Sequence, residues 1–163
     1  MQPQLYFFVN VAFSLIAWGI VAKRYIWPKL RLLGRAEALR PLLVLHSFRF
    51  LGLAFLVPGV VSPALPSVFA HSATYGDLIA ATLAMLSLVL LPGGAGVVIA
   101  WVFNLWGSAD ILNAFYQANA AGLMAGQLGA AYAIPIVYVP LLMITHFVAF
   151  YWLVRPAGLQ AVE

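Results

Sequence analysis

Cysteine is absent from the 163 residues, which excludes disulfides, thiolate metal centres, iron–sulfur clusters, covalently attached c-type haem and a lipoprotein anchor. The same absence says nothing about redox compartment. Charge is almost as scarce: Asp, Glu, Lys and Arg make up 7% of the chain and hydrophobic residues 65%, whereas soluble domains carry about a quarter charged residues. A chain of this kind cannot cover itself with polar surface and is expected to be an integral membrane protein. Hydrolytic motifs are missing as well. There is no Gly-x-Ser-x-Gly elbow and no His-Glu-x-x-His, and Asp and Glu together number four, so the sequence leans away from an enzyme. A retinal Schiff base needs a lysine inside a helix, and both lysines, Lys23 and Lys29, fall in a polar connection. The longest stretch between apolar runs is 23–40, too short for a soluble domain, so residues 1–163 are read as a single transmembrane domain.

What is present is a set of apolar runs at 5–22, 41–60, 77–91, 97–120 and 134–154. They predict an all-α bundle of five transmembrane helices, with four as the alternative count. The first run follows Met-Gln-Pro-Gln with no cation, unlike a secretory signal, and reads as a retained helix. Its Asn10, Ser14 and Trp18 share one face, expected to meet other helices. Lys23, Arg24, Lys29, Arg31, Arg35 and Arg40 place six of the eight basic residues in one connection. By the positive-inside rule that connection is cytoplasmic, with the N-terminus outside and the C-terminus inside. The net charge of +4 is therefore read as membrane topology and not as nucleic-acid binding. Within the connection, Pro28 is expected to open a short interfacial helix with Leu30, Leu32, Leu33, Ala36 and Leu39 on its apolar side and its cations among anionic head groups.

Further along, Asp77 is expected to cap the start of the third helix, with His71 in the wet loop before it. Ala80, Ala84 and Ser87 recur at a spacing that lets helices approach closely. Pro92-Gly93-Gly94-Ala95-Gly96 reads as a tight turn and not as a phosphate loop, since no strand precedes it and no Lys-Ser/Thr follows. Residues 121–133 are expected to be an external connection, and Pro140 a kink in the last helix.

The run 41–60 carries His46 and Arg49 inside an otherwise apolar span. A charged residue in hydrocarbon costs roughly 2.5 kcal/mol or more, so it faces protein, an opposite charge or water. Counting the helix rise of ~1.5 Å per residue from Arg40 puts His46 roughly 9 Å and Arg49 roughly 13 Å deep; His146, counted from Arg155, is also roughly 13 Å deep. Asp110 falls within about 5 Å of that layer in a core ~30 Å thick. The expected arrangement is a buried polar layer of Arg49, Asp110 and His146, with His46 one turn below Arg49, and with the carboxamides Asn104 and Asn113 available on the fourth helix. Asp110, Asn113 and Gln117 share a stripe there.

Three readings are open for this layer. Arg49 and Asp110 could neutralise each other as a structural staple. The layer could bind or transport a small solute or ion, using Arg49, Asp110, Asn104, Asn113 and His146. It could serve redox chemistry in a b-type haem or quinone protein, with His46 and His146, which differ by only ~4.5 Å in depth, as haem ligands. An accessory or scaffold subunit of a larger membrane complex, or a homo-oligomer, is a further reading.

The residues Arg49-Phe50-x-Gly52-x-x-Phe55, Leu65-Pro66-x-x-Phe69-Ala70-x-x-Ala73-x-Tyr75-Gly76-Asp77 and Trp101-x-x-Asn104-x-x-Gly107-x-x-Asp110 resemble those of a group of uncharacterised bacterial multi-pass inner-membrane proteins. The likeness spans Arg49 to Asp110. It implies a bacterial inner-membrane protein and singles out Arg49, Asp77, Asn104 and Asp110, but implies no activity.

Overall fold

The computed structural model describes residues 3–155. Five helices in it are long and apolar enough to cross a membrane: α1 (Gln4–Leu30), α2 (Arg35–Leu56), α3 (Ser67–Leu90), α4 (Gly94–Ala120) and α5 (Ile134–Val154). Among the described residues there is no β-strand, only an isolated bridge between Pro58 and Val61. The all-α bundle expected from the apolar runs is what forms. The C-terminal stretch 156–163 and residues 1 and 2, used above to assign the ends of the chain to sides of a membrane, lie outside the described residues.

The short connections alternate between two ends of the bundle. At one end the 31–34 turn, the 91–93 turn and the close of α5 come together: Arg40 donates to the Leu91 carbonyl at 3.1 Å and Trp27 packs edge-on to Tyr151. At the other end two longer connections interlock. Ser62 donates its N–H to the Gln127 carbonyl at 3.0 Å, Ala130 donates to Val60 at 2.8 Å, and the Gln127 amide reaches the Ala64 carbonyl at 2.7 Å. Gly129, at φ +53°, lies against the Val60 carbonyl, where a Cβ would collide with it. Only glycine accepts that φ without strain.

Small residues set the tight centre. Ala73, Gly76, Ala80, Ala84 and Ser87 of α3 are buried and run along one face at intervals of three and four, the spacing of a helix stripe. They let α3 lie close to α4, as small residues do where lipid supplies no hydrophobic drive between helices. The buried apolar side chains fall into two groups. One, toward the 31–34 end, contains Leu39, Leu43, Ala84, Phe103 and Trp152. The other, toward the interlocked connections, contains Phe55, Phe69, Ala73 and Leu128.

Three boundaries differ from those expected. The short interfacial helix after Pro28 is not a separate element. α1 continues to Leu30 through a π-helical turn over Ala22–Ile26, and the next helical segment starts at Arg35 after Gly34. Leu30 therefore belongs to α1, Ala36 and Leu39 belong to α2, and Leu32 and Leu33 are exposed in the turn. A proline ring clashes with the carbonyl four residues back; the wider π turn just before Pro28 carries the helix past that clash. The same device, with no counterpart in the expected helix, recurs in α5, where a π turn over Ile134–Tyr138 precedes Pro140. Trp18 of α1 donates to the Val137 carbonyl in this turn at 3.0 Å.

The third difference concerns α3, which begins at Ser67 and not at Asp77. Asp77 thus sits almost three turns inside a helix instead of capping one. His71 is also helical, its ring bonded to the Ser67 carbonyl at 2.8 Å.

Candidate functional site

α2 changes its winding at the point where it must present Arg49. Its first part, Arg35–Ser47, is α-helical and its second, Phe48–Leu56, is a 3₁₀ helix in which Arg49, Gly52 and Phe55 are buried. At three residues per turn, positions i and i+3 eclipse. The 3₁₀ winding therefore aligns Arg49, Gly52 and Phe55 on one inward line, and Phe50, Leu51, Leu53 and Leu56 are left outward. A 3₁₀ run of this length inside a helix is uncommon.

Arg49 is 1% exposed and its guanidinium is surrounded on three sides. Nε donates to Asp77 Oδ1 of α3 at 2.7 Å and Nη2 donates to Asp110 Oδ2 of α4 at 2.6 Å. Nη1 donates to the Gly107 carbonyl at 3.1 Å and lies 3.2 Å from His146 Nε2 of α5. One arginine thus ties four of the five spans together through charge-assisted bonds.

The histidine network follows from those bonds. Because Arg49 only donates, His146 Nε2 must accept, and its proton then sits on Nδ1 and goes to Asn104 Oδ1 at 2.7 Å. The Asn104 amide returns a bond to the His146 carbonyl at 3.3 Å. This fixes one tautomer. His46 lies on the other side of His146, its ring 4.3 Å away between centroids, and its Nε2 bonds Thr145 Oγ1 at 3.0 Å. The Thr145 hydroxyl proton is directed at the Leu141 and Leu142 carbonyls, so His46 Nε2 is the donor. His46 Nδ1 is buried with no hydrogen-bond partner.

Room for the cluster comes from three glycines. A Cβ on Gly52 would collide with the Asp77 carboxylate, one on Gly76 would collide with that of Asp110, and one on Gly107 would lie 2.7 Å from Arg49 Nη1 and from His146 Cε1. Each charged group is seated in the space where a neighbouring helix has no side chain.

The residues expected in the layer are mostly brought together. Arg49, Asp110, His146 and Asn104 form one network, and His46 packs against it. Asn113 does not join: it is exposed and donates to Ser72 Oγ at 2.8 Å, because three residues beyond Asp110 is almost a full turn further out. Asp77 was missed as a member of the network. Its signal was the small-residue stripe, which runs back unbroken from Ala80 through Gly76 to Ala73 and so places Asp77 within a helix.

The two histidines do not fit a haem held between them. Their rings touch, leaving no slot for a macrocycle, and the ring nitrogens other than His46 Nδ1 are engaged by Thr145, Asn104 and Arg49. Axial ligation requires free imidazole nitrogens facing each other across the macrocycle. Among the described residues no group of three or more His, Cys, Asp or Glu is placed to hold a metal ion.

Beside the cluster, toward the interlocked connections, is a cavity of about 70 Å³. Its polar lining consists of Arg49, Asp77 and Asp110; the remainder is apolar, including Phe7, Phe55 and Phe69. A wider space of about 410 Å³ between the start of α1 and the end of α4 adjoins it, the two having Phe7, Phe115, Ala118 and Leu123 in common as walls.

An all-α bundle whose five long helices are apolar on the outside and hold an arginine between two aspartates within is a membrane protein. The chain belongs to the family described as Domain of unknown function (DUF8737), whose model matches residues 6–154 and so takes in the whole polar network and the cavity. No curated protein and no solved structure matches it.

Proposed function

We propose that the protein is a multi-pass protein of a bacterial inner membrane that binds a small solute or ion in the cavity beside Arg49 and moves it across the bilayer without covalent chemistry. The observation that carries this reading is the lining of the cavity, apolar everywhere except for the three charged residues of the cluster. A staple needs no adjoining space, whereas a site does. At ~10–15 Å³ per water by the same measure of volume, 70 Å³ holds roughly five waters or a solute of about five heavy atoms. The orientation in this proposal puts the 31–34 end in the cytoplasm. It is supported by Lys23, Arg24, Lys29, Arg31, Arg35, Arg40 and Arg155, every basic residue but Arg49, toward that end, and by the positive-inside rule. The bacterial assignment rests on the resemblance across Arg49 to Asp110.

A second reading, a subunit of a larger complex or a homo-oligomer, is favoured by α1. None of its most apolar window is buried within the bundle. The two readings separate on purification. Protein extracted in mild detergent and analysed by native mass spectrometry is expected to retain a small non-lipid molecule that is lost from Asp110→Asn. Protein that carries no such molecule and co-purifies stoichiometrically with another membrane protein overturns solute binding in favour of the subunit reading.

A further inference from the structure

The charges in the cluster do not balance. Arg49 is one cation, and Asp77 and Asp110, both in contact with it, are two carboxylates. Among the described residues the neighbouring elements supply no second cation. From α2, His46 donates only to Thr145. From α5, His146 accepts from Arg49 and is neutral in that tautomer, and Tyr138 donates to the Leu45 carbonyl. From α1 the wall is Phe7, and Tyr132 in the outer connection is engaged by Asn10. The side chains of Asp77 and Asp110 are 15% and 7% exposed, so an uncompensated negative charge would lie at mid-bundle, where it is costly.

Resting on the solute-binding reading, we infer that the solute is a small monovalent organic cation, an ammonium bearing a short apolar tail, and that it binds in exchange for one proton held by the Asp77/Asp110 pair. When the cavity is empty the pair keeps a carboxyl O–H. When the ammonium arrives that proton leaves to water, and the ammonium N–H groups take its place on the carboxylates. Charge at the cluster is neutral in both states. Phe7, Phe55, Phe69 and Phe115 suit the tail and favour a cation near their ring faces. A bare metal ion suits the site poorly, because six or so oxygen ligands are required and the cavity offers two carboxylates against apolar walls.

Calorimetric titration of the full-length protein in detergent tests this with propylammonium, propionate and propanol, each in two buffers of different ionisation enthalpy at one pH. Propylammonium alone is expected to bind, releasing about one proton per molecule bound. Because protons compete for the carboxylates, its affinity should tighten as pH rises, by up to tenfold per unit. Asp77→Asn and Asp110→Asn should each weaken binding at least tenfold and abolish the proton release, since the remaining carboxylate is then neutralised by Arg49. Propylammonium binding without proton release overturns the exchange. Binding of propionate or propanol in its place overturns the cation and leaves solute binding standing. If none of the three binds, both proposals fall.

Discussion

Sharing one arginine between two carboxylates makes a definite forecast about the order in which the cluster fails. Asp110→Asn keeps the shape and takes the charge out of one bond of 2.6 Å, while Arg49 stays paired with an ionised Asp77 at 2.7 Å and the cluster stays neutral. The loss of a hydrogen bond to a charged group, about 1.5–3 kcal/mol, is then partly offset because the Asn amide oxygen still accepts from Nη2, leaving a cost of about 1–2 kcal/mol. Asp77→Asn should cost the same or slightly less, since Asp77 is the more exposed of the two. Removing both strands a buried guanidinium, which typically costs about 3–5 kcal/mol. The double variant should therefore lose about 1 kcal/mol more than the sum of the singles, a coupling above the about 0.5 kcal/mol within which independent sites add. Arg49→Met strands one buried carboxylate, a single unpaired charge as in the double variant, and should match it, and Arg49→Met in the doubly amidated background should recover most of the loss. Unfolding in mixed micelles of rising SDS fraction, followed by tryptophan fluorescence with helicity checked by circular dichroism, measures all five variants. Additive costs for the two aspartates, or an Arg49→Met variant no worse than Asp110→Asn, would refute the sharing.

The seating of the charges against glycines is tested by Gly76→Ala and Gly107→Ala, expected to destabilise by about 1–3 kcal/mol through overpacking, while Gly126→Ala, with nothing within 4 Å, should stay within about 0.5 kcal/mol; equal effects at all three positions would contradict it. Reporter fusions after Leu33, Pro63, Gly93 and Gly126 should read inside, outside, inside, outside, and an external signal at Leu33 inverts the proposed orientation. Protein purified from haem-supplied cells should show no Soret band dependent on both His46 and His146. A band lost in either alanine variant would mean that the two rings separate to admit a macrocycle.

The meeting of Arg49 with Asp110 and His146 was legible because charge is so rare in the spans that depth alone pairs these residues. Asp77 was not, because its helix begins at Ser67, ten residues ahead of the apolar run: His71, Ser72 and Thr74 interrupt the hydropathy and hide a stripe of small residues that is continuous through them. For α2 the error lay in the same direction. Its first turns, Arg35 to Arg40, are charged on one side yet bury Ala38 and Leu39, so the apolar run begins after the helix does. The 3₁₀ winding had a faint trace in the sequence. Arg49, Gly52 and Phe55 recur at intervals of three, which drift around an α-helix by ~60° per step and align only at three residues per turn. The direct contact of the two imidazoles left no trace, since it depends on how α2 and α5 are rotated against each other.

The placement of α1 bears on how the molecule is made. The partners of its Asn10, Trp18 and Trp27, namely Tyr132, Val137 and Tyr151, all lie far along the chain, up to 124 residues away between Trp27 and Tyr151. α1 therefore completes its docking only once Ile134–Val154 has emerged, and before that its packing is confined to its end, where Ile26 and Leu30 meet the core group of Leu39 and Leu43. During that interval the wall that Phe7 provides is absent and the carboxylates of α3 and α4 lie beside an open seam. Closure of the bundle and completion of the cavity are the same event, so a chain interrupted between Ala120 and Ile134 should leave both α1 and the charged cluster accessible to membrane quality control.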